Sequence, residues 1–136
     1  MTMRYLLDSD TVSYLVRKVP SVVESAVSVG LANLRLSAIT ELEIRTGLAI
    51  KNDPKLFASV SEVLEHLEII PFDSAAAKDA AKVRAFLRSV GKPSGTLDPL
   101  IAGHAISLGA VLVTHNTKHF ENVPGLALDN WLTARD

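Results

Sequence analysis

Apolar positions in this chain alternate between short runs and the spacing of three to four residues that is typical of helices. Short apolar or alternating runs predict strands at residues 5–7, 34–39, 68–72 and 110–114, with a last short strand near 126–128. Helical spacing predicts helices at residues 11–19, 22–29, 41–50, 54–66, 75–90 and 98–108. This alternation is typical of a parallel sheet covered by helices, so we expect an α/β class protein: a three-layer α/β/α sandwich with four to five strands.

The predicted helices begin at residues that favour helix starts. Ser9 or Asp10 is expected to cap the first helix and Thr40 the third, because a side-chain oxygen can accept from a free backbone N–H. Asp98 stands directly before Pro99, which favours the first helical position, so we expect Asp98 to be an N-cap. A turn-rich loop at residues 92–96 leads to it, and the strand at residues 5–7 is expected to be central.

Composition narrows the class of protein. The 136 residues predict a single domain, 1–136, and the hydrophobic share of 48% predicts a well-filled core. The absence of cysteine excludes disulfides, zinc–thiolate sites and thiol nucleophiles. No leader pattern and no apolar run long enough to span a bilayer is visible, so we expect a cytoplasmic protein without a membrane partner. The net charge of −1 means that nucleic acid binding would need a local patch.

Three acidic residues lie where predicted strands and helices meet. Asp8 follows the first strand, Glu43 lies on the helix after the second, and Asp98 starts the helix before the fourth. The carboxyl ends of parallel strands share one edge, where three carboxylates repel one another unless a cation neutralises them. Mg²⁺ fits best, because it prefers hard oxygen ligands.

Simpler explanations exist for each acid. Asp8 and Asp98 are also good helix caps, and capping does not exclude metal binding. Glu43 stands close to Glu41, and a helical Glu is most often solvent-exposed. The spacing does not select between these two glutamates.

Four longer motifs carry a resemblance to a known family. They are residues 5–10 (YLLDSD), 37–47 (SAITELEIRTG), 97–105 (LDPLIAGHA) and 112–120 (LVTHNTKHF), followed by a matching tail at 123–131. In this collinear order the chain closely resembles the VapC-type PIN-domain ribonucleases, the toxins of type II toxin–antitoxin systems. The resemblance covers essentially the whole chain and implies a PIN-like fold.

The resemblance also implies roles for the acids. It matches Asp8 and Asp98 to the principal ligands of Mg²⁺, with Mn²⁺ as an alternative, and selects Glu43 over Glu41 as the acid that ligates the metal or orients a water. It implies a magnesium-dependent endoribonuclease that hydrolyses RNA phosphodiesters, typically of tRNA, with a metal-activated water. It further implies a cognate VapB-like antitoxin and a homodimer.

The chain departs from the family pattern at two places. The family usually has Asn where this chain has Asp10, and a fourth acid within the segment 116–121, where Asn116 or Glu121 is the candidate here. Thr114 is either a plain strand residue or holds Asp8 or a metal-bound water through its hydroxyl. We expect His104 to be a packing residue with one satisfied nitrogen.

Two further groups of residues have no single assignment. His115 and His119 lack a third soft ligand and remain unassigned. A basic run is either a phosphate-binding rim or an ordinary solvated helix face; it comprises Lys78, Lys82, Arg84, Arg88 and Lys92. Arg45 is a candidate contact for RNA or an inhibitor.

Two other functions fit part of the sequence. A haloacid-dehalogenase-like phosphatase would use Asp8 as nucleophile and Asp10 as acid/base, but it needs a further acidic pair after the fourth strand, which residues 114–116 lack. A non-catalytic binding protein with an incomplete site is suggested by the missing fourth acid.

Overall fold

The computed structural model describes residues 3–92, 95 and 97–133, which contain a five-stranded, fully parallel sheet. The strands are β1 (Tyr5–Leu7), β2 (Leu34–Ser37), β3 (Glu68–Ile70), β4 (Val111–Val113) and β5 (Ala127–Asp129). Their order is β3-β2-β1-β4-β5, so β1 is central as predicted. Because sequential order reverses on either side of β1, its carboxyl end is the edge where open α/β sheets form their sites.

Helices follow the strands along the chain. They are α1 (Ser9–Val16), α2 (Pro20–Val29), α3 (Ala38–Lys51), α4 (Pro54–Leu64), α5 (Ser74–Ser89), α6 (Asp98–Leu108) and the short α7 (Thr117–Phe120). A single 3₁₀ turn, Leu31–Asn33, precedes β2. The predicted loop at 92–96 lies partly outside the described residues, which lack 93, 94 and 96. In the described ranges, no helix has the length and apolarity that crossing a membrane requires.

The core is divided by the sheet into two clusters. Leu7 and Leu36 face one cluster, which α1, α2 and α4 cover; Trp131 completes it by packing against Tyr5. Leu6 and Leu112 point to the opposite cluster, which α5 and α6 cover. This alternation follows from the two-residue period of a strand. The predicted three-layer α/β/α class is therefore confirmed.

Three predicted helix starts differ from the structure. The cap of α1 is Asp8 instead of Ser9 or Asp10, and its Oδ1 accepts from the N–H of Thr11 at 2.8 Å. The cap of α3 is Ser37 instead of Thr40, because β2 ends at Ser37 and the helix begins at once. Asp98 is the first residue of α6, and the cap position belongs to Leu97, so the Asp98 carboxylate makes no capping bond.

The start of α2 and the buried faces of α3 and α5 also differ in part from the prediction. The helix predicted at residues 22–29 begins earlier, at Pro20, because the fixed φ of proline suits the first turn of a helix, and the helix predicted to reach residue 19 ends at Val16. The apolar spacing predicts a buried stripe on α3 at residues 42, 44, 48 and 49. It is correct at Ile44 and Leu48 and wrong at Leu42, which is 56% exposed, and at Ala49, which is also exposed. The sequence also predicts that Ala77, Ala80, Ala81 and Ala85 let α5 pack closely on a neighbour, which is correct only at Ala80; the other three alanines are exposed. Ala80 lies so close to Gly103 of α6 that a Cβ there would overlap the Ala80 backbone.

Candidate active site

A cavity of about 240 Å³ lies at the carboxyl end of β1 and β4. It brings together all three predicted acids and the predicted Asn116. The lining residues are Asp8, Ser9, Asp10, Glu43, Asp98, Ile101, Thr114, Asn116 and Phe120. Among the described residues, four carboxylates and no Lys or Arg line this cavity, which concentrates negative charge there.

Asp8 is held rigidly by its surroundings. Its backbone N–H donates to the carbonyl of Val113 at 3.1 Å, and its side chain accepts from Thr11 N–H and from the Thr114 hydroxyl. Burial raises the pKa of Asp8, and these hydrogen bonds oppose the rise only in part. The ionised carboxylate therefore lacks full compensation within the chain, and a cation in the cavity would supply it.

Glu43 differs from Asp8 in having no fixed partner. Its carboxylate accepts no hydrogen bond and pairs with no cation among the described residues. Burial raises the pKa of Glu43, with further contributions from the charges of Asp98, Asp8 and Asp10. Glu41 instead pairs with Arg45, whose Nε lies 2.8 Å from its Oε2. Glu43 and not Glu41 thus lines the cavity, and Arg45 is engaged on the outer face of α3.

Asp98 enters the cavity from the first turn of α6. His119 of α7 lies beside it, with Nδ1 3.5 Å from Asp98 Oδ2. Sequence reasoning left His119 unassigned, because nothing in the local pattern joins a residue of α7 to one 21 positions earlier. The structure places these two side chains together because α7 follows β4, the strand next to β1.

Thr114 connects Asp8 to the segment that contains Asn116. Thr114 is fully buried, and its Oγ1 accepts from the backbone N–H of Asn116 at 3.0 Å. The predicted contact between Thr114 and Asp8 is confirmed. Asn116 lines the cavity and Glu121 does not, which favours Asn116 as the fourth polar group of the site.

The oxygen-rich lining fits a hard divalent cation. No three acidic or histidine side chains among the described residues already converge on one point at ligand spacing. Mg²⁺ does not require such a cluster, because it keeps several waters and is usually bound by one or two carboxylates. A cation at this position would compensate the buried charge of Asp8. It would also reduce the repulsion between Glu43 and the neighbouring carboxylates.

Two larger grooves are also present, of which one adjoins the acidic cavity and the other is separate from it. One, of about 580 Å³, shares Ser9, Asp10 and Glu43 with the cavity and continues between α1, α3 and α4 to Arg17 and Lys51. The other, of about 600 Å³, is mostly apolar and lies between α2 and α4. The first groove gives a long ligand direct access from the helical face to the acids.

Comparison with known proteins identifies the family. The sequence profile of the PIN domain matches residues 5–126. The chain belongs to the PIN-domain family. The resemblance that the four motifs indicated is thereby confirmed.

Relatives of this PIN domain align along nearly their whole length. It is 31% identical over 130 residues to the tRNA(fMet)-specific endonuclease VapC of Salmonella typhimurium, covering 95% of this chain and 98% of the relative. It is 32% identical over 132 residues to Ribonuclease VapC1 of Haemophilus influenzae strain R2866, covering 95% and 98%. The crystal structure of VapBC2 from Rickettsia felis bound to a DNA fragment from their promoter contains a chain that matches with a TM-score of 0.87 and 31% identity, covering 96% of this chain and 100% of that one.

Proposed function

We propose that this PIN domain is a magnesium-dependent endoribonuclease and the toxin of a toxin–antitoxin pair. One observation carries the proposal: the three acids that the motifs selected line one cavity at the carboxyl edge of the sheet, without a cationic side chain among them. The full-length likeness to VapC ribonucleases supports the reaction. The alternative phosphatase would need a further acidic pair after the fourth strand. The cavity residues that follow this strand are Thr114, Asn116 and Phe120, and none of them is acidic.

The acids have different tasks in this proposal. Asp8, which follows a strand, and Asp98, which starts a helix, would hold Mg²⁺, or Mn²⁺ in its place. When bound, the ion stabilises the charge that develops on the phosphate and lowers the pKa of water near it. Thr114 and Thr11 hold the Asp8 carboxylate in one orientation.

Glu43 and Asn116 act on the water and the phosphodiester. The raised pKa of Glu43 suits a general base, which takes a proton from the attacking water at a carboxylate oxygen. Asn116 donates its side-chain amide to a phosphate oxygen or orients the water through its carbonyl oxygen. The water oxygen bonds to phosphorus while the bond from phosphorus to the leaving ribose oxygen breaks, and that oxygen takes a proton from solvent.

RNA is the proposed substrate and tRNA the proposed class. The curated relative in Salmonella typhimurium is named for tRNA(fMet), which supports tRNA here. A basic side of α5 is exposed on the helix that leads toward Asp98; it comprises Lys78, Lys82, Arg84 and Arg88. These cations provide a surface for the phosphate backbone next to an otherwise acidic cavity.

A VapB-like antitoxin is the proposed partner. Structural neighbours include toxin–antitoxin complexes from Rickettsia felis and Salmonella typhimurium. The groove shared with the acidic cavity offers apolar residues and ends at Glu43, so an inserted segment would cover the acids and block RNA. A homodimer and a cytoplasmic location complete the proposal.

Cleavage of tRNA by purified protein tests this function. We expect Mg²⁺-dependent cleavage that a chelator abolishes, and losses of about 100- to 1,000-fold in Asp8→Asn, Asp98→Asn and Glu43→Gln. Glu41→Gln is the matched control, because Glu41 lies on the same helix and outside the cavity. Full activity in both Asp variants would contradict the proposal and favour a non-catalytic binding protein.

A further inference from the structure

A buried hydrogen bond joins the two helices that carry Glu43 and Asp98. Nδ1 of His104, in α6, lies 2.8 Å from Oγ of Ser37, the N-cap of α3. Both side chains are buried, with exposed fractions of 1% for His104 and 0% for Ser37. We call this pair the α3–α6 tie.

The tie and the acidic cavity lie at opposite ends of the same two helical segments. Along α3 the chain passes from Ser37 at the tie to Glu43 in the cavity, and along α6 from Asp98 in the cavity to His104 at the tie. In each segment the two end residues are six positions apart, which is about 9 Å along a helix. A helix is stiff over this length, so a fixed contact at one end restricts the position of the carboxylate at the other.

The positions of the three acids depend to different degrees on where α3 and α6 lie. Asp8 is fixed by its own local hydrogen bonds to Thr11, Thr114 and the Val113 carbonyl. Glu43 has no such partner among the described residues, so its position follows from where α3 lies. Within the described part of the chain, the one side chain that approaches the Asp98 carboxylate is the half-exposed His119, at 3.5 Å. The separation of Glu43 and Asp98 is therefore set mainly by the helices.

The surroundings of His104 argue against a purely space-filling role. The ring packs edge-on with Phe72, with centroids 5.4 Å apart at 84°. His104 Nε2 and Thr40 Oγ1 are both buried without a hydrogen-bond partner among the described residues. An apolar side chain would fill the site without leaving a polar atom unpaired, so the polar tie has a cost that packing does not explain.

The tie is a hydrogen bond to a neutral His104 ring. Ser37 Oγ already accepts from the backbone N–H of Ile39 at 3.1 Å, so its own proton is available for donation. Burial lowers the pKa of His104, with Asp73 as an opposing charge, which favours a neutral ring with an acceptor nitrogen. The neutral ring has one proton, so Nδ1 either accepts from the Ser37 hydroxyl or donates to Ser37 Oγ, and the two helices are joined in both tautomers.

We propose that His104 and Ser37 are positioning residues that set the separation of Glu43 and Asp98 across the active site. They act through the two helices and touch neither RNA nor metal. This inference rests on the proposed nuclease function for its kinetic part, and on the geometry of α3 and α6 for its structural part.

Kinetics of four variants test the tie. Ser37→Ala and His104→Leu remove it, and we expect kcat to fall about 10- to 100-fold while KM stays within about twofold, because misplaced groups slow the chemical step. His104→Asn keeps a polar atom near the position of Nδ1 and should recover part of kcat. The double variant Ser37→Ala/His104→Leu should be no worse than the poorer single variant, since one contact is lost in each.

A matched control separates positioning from stability. Asp53 caps α4 through bonds to the N–H groups of Lys55 and Leu56, so Asp53→Ala removes a cap of the same kind far from the cavity. It should lower Tm as Ser37→Ala does and leave kcat unchanged. An equal fall of kcat in Asp53→Ala, or no rescue by His104→Asn relative to His104→Leu, would overturn the proposal.

A distance measurement tests the structural part without activity. Because the chain has no cysteine, Arg45→Cys on α3 and Ser107→Cys on α6 can take spin labels selectively. Adding Ser37→Ala should broaden or shift the distance distribution between the labels, and Asp53→Ala should not. If the native protein cleaves no RNA, the proposed function fails alone, and this distance still decides the tie; an unchanged distribution would overturn it.

Discussion

Asp8 has two opposite effects on stability, because it caps a helix and its charge is buried. Its Oδ1 caps α1 through Thr11, which stabilises the fold, while its charge is buried against the end of the sheet. The raised pKa means that the folded protein binds a proton at Asp8 more tightly than the unfolded chain does. Ionised Asp8 therefore lowers the free energy of unfolding, and this loss grows as pH rises from 3.8 through the folded-state pKa.

Asp8→Asn should consequently make the metal-free protein more stable at neutral pH. The amide oxygen can still accept from Thr11 N–H, and the buried charge is gone. Urea denaturation across pH 4 to 8 should show that the advantage of the variant shrinks as pH falls, because protonation neutralises native Asp8.

Addition of Mg²⁺ should reverse this order. A ligand at ten times its Kd stabilises the native protein by about 1.4 kcal/mol, and the variant, which has lost a proposed ligand, should gain less. A variant that is less stable than the native protein without metal would show that the Asp8 charge is not a burden on the fold.

The contact between α5 and α6 is the tightest constraint at the scale of elements. Gly103 faces the Ala80 backbone, and a Cβ at this position has no space. Because backbone cannot move aside as a flexible side chain can, one methyl group should be enough to separate the helices.

Gly103→Ala should lower the free energy of unfolding by about 3 kcal/mol, as overpacking in a close helix contact does. Gly47→Ala is the control, since Gly47 lies inside α3 and an added Cβ meets no atom within 4 Å. It should raise the free energy of unfolding by about 0.5 to 1 kcal/mol through helix propensity. Denaturation in urea measures both, and equal effects of the two changes would contradict the packing argument.

Elements were predictable where local periodicity decides them. All five strands and the major helices follow from apolar spacing, and the convergence of Asp8, Glu43 and Asp98 follows from parallel strands sharing one edge. The exact caps were not predictable, because Ser37 and Thr40 have equal capping chemistry and only the end of β2 selects between them. Contacts such as Ser37 with His104 depend on tertiary packing across 67 residues, for which the local sequence carries no signal.

Asp10 shows the same limit inside the site. As an extra acid it fitted two different enzymes by sequence alone, and the structure places it on the cavity wall, where its charge raises the pKa of Asp8 and Glu43. Asp10 therefore influences Asp8 and Glu43 through its charge, whether or not it contacts a metal.

Charge is distributed unevenly over the whole molecule. The net charge is −1, yet one edge of the sheet concentrates acids in a single cavity, and the exposed side of α5 has several cations. The core-facing residues of α5 and α4 pack on opposite faces of the sheet, so their exposed cations lie on opposite sides of the molecule. RNA binding should thus depend on where a cation lies and not on net charge.

Paired substitutions on these two sides test this dependence. Arg88→Gln on α5 and Lys55→Gln on α4 each remove one exposed positive charge, so both change net charge equally. Binding of a single-stranded RNA, measured in the non-cleaving Asp98→Asn background over a range of salt concentrations, should weaken for Arg88→Gln. The slope of log K against log salt should fall by about 0.7, the value for one phosphate contact. Lys55→Gln should leave both affinity and slope unchanged. Equal weakening by the two substitutions would show that the protein attracts RNA through overall charge, and the basic side of α5 would then have no special role.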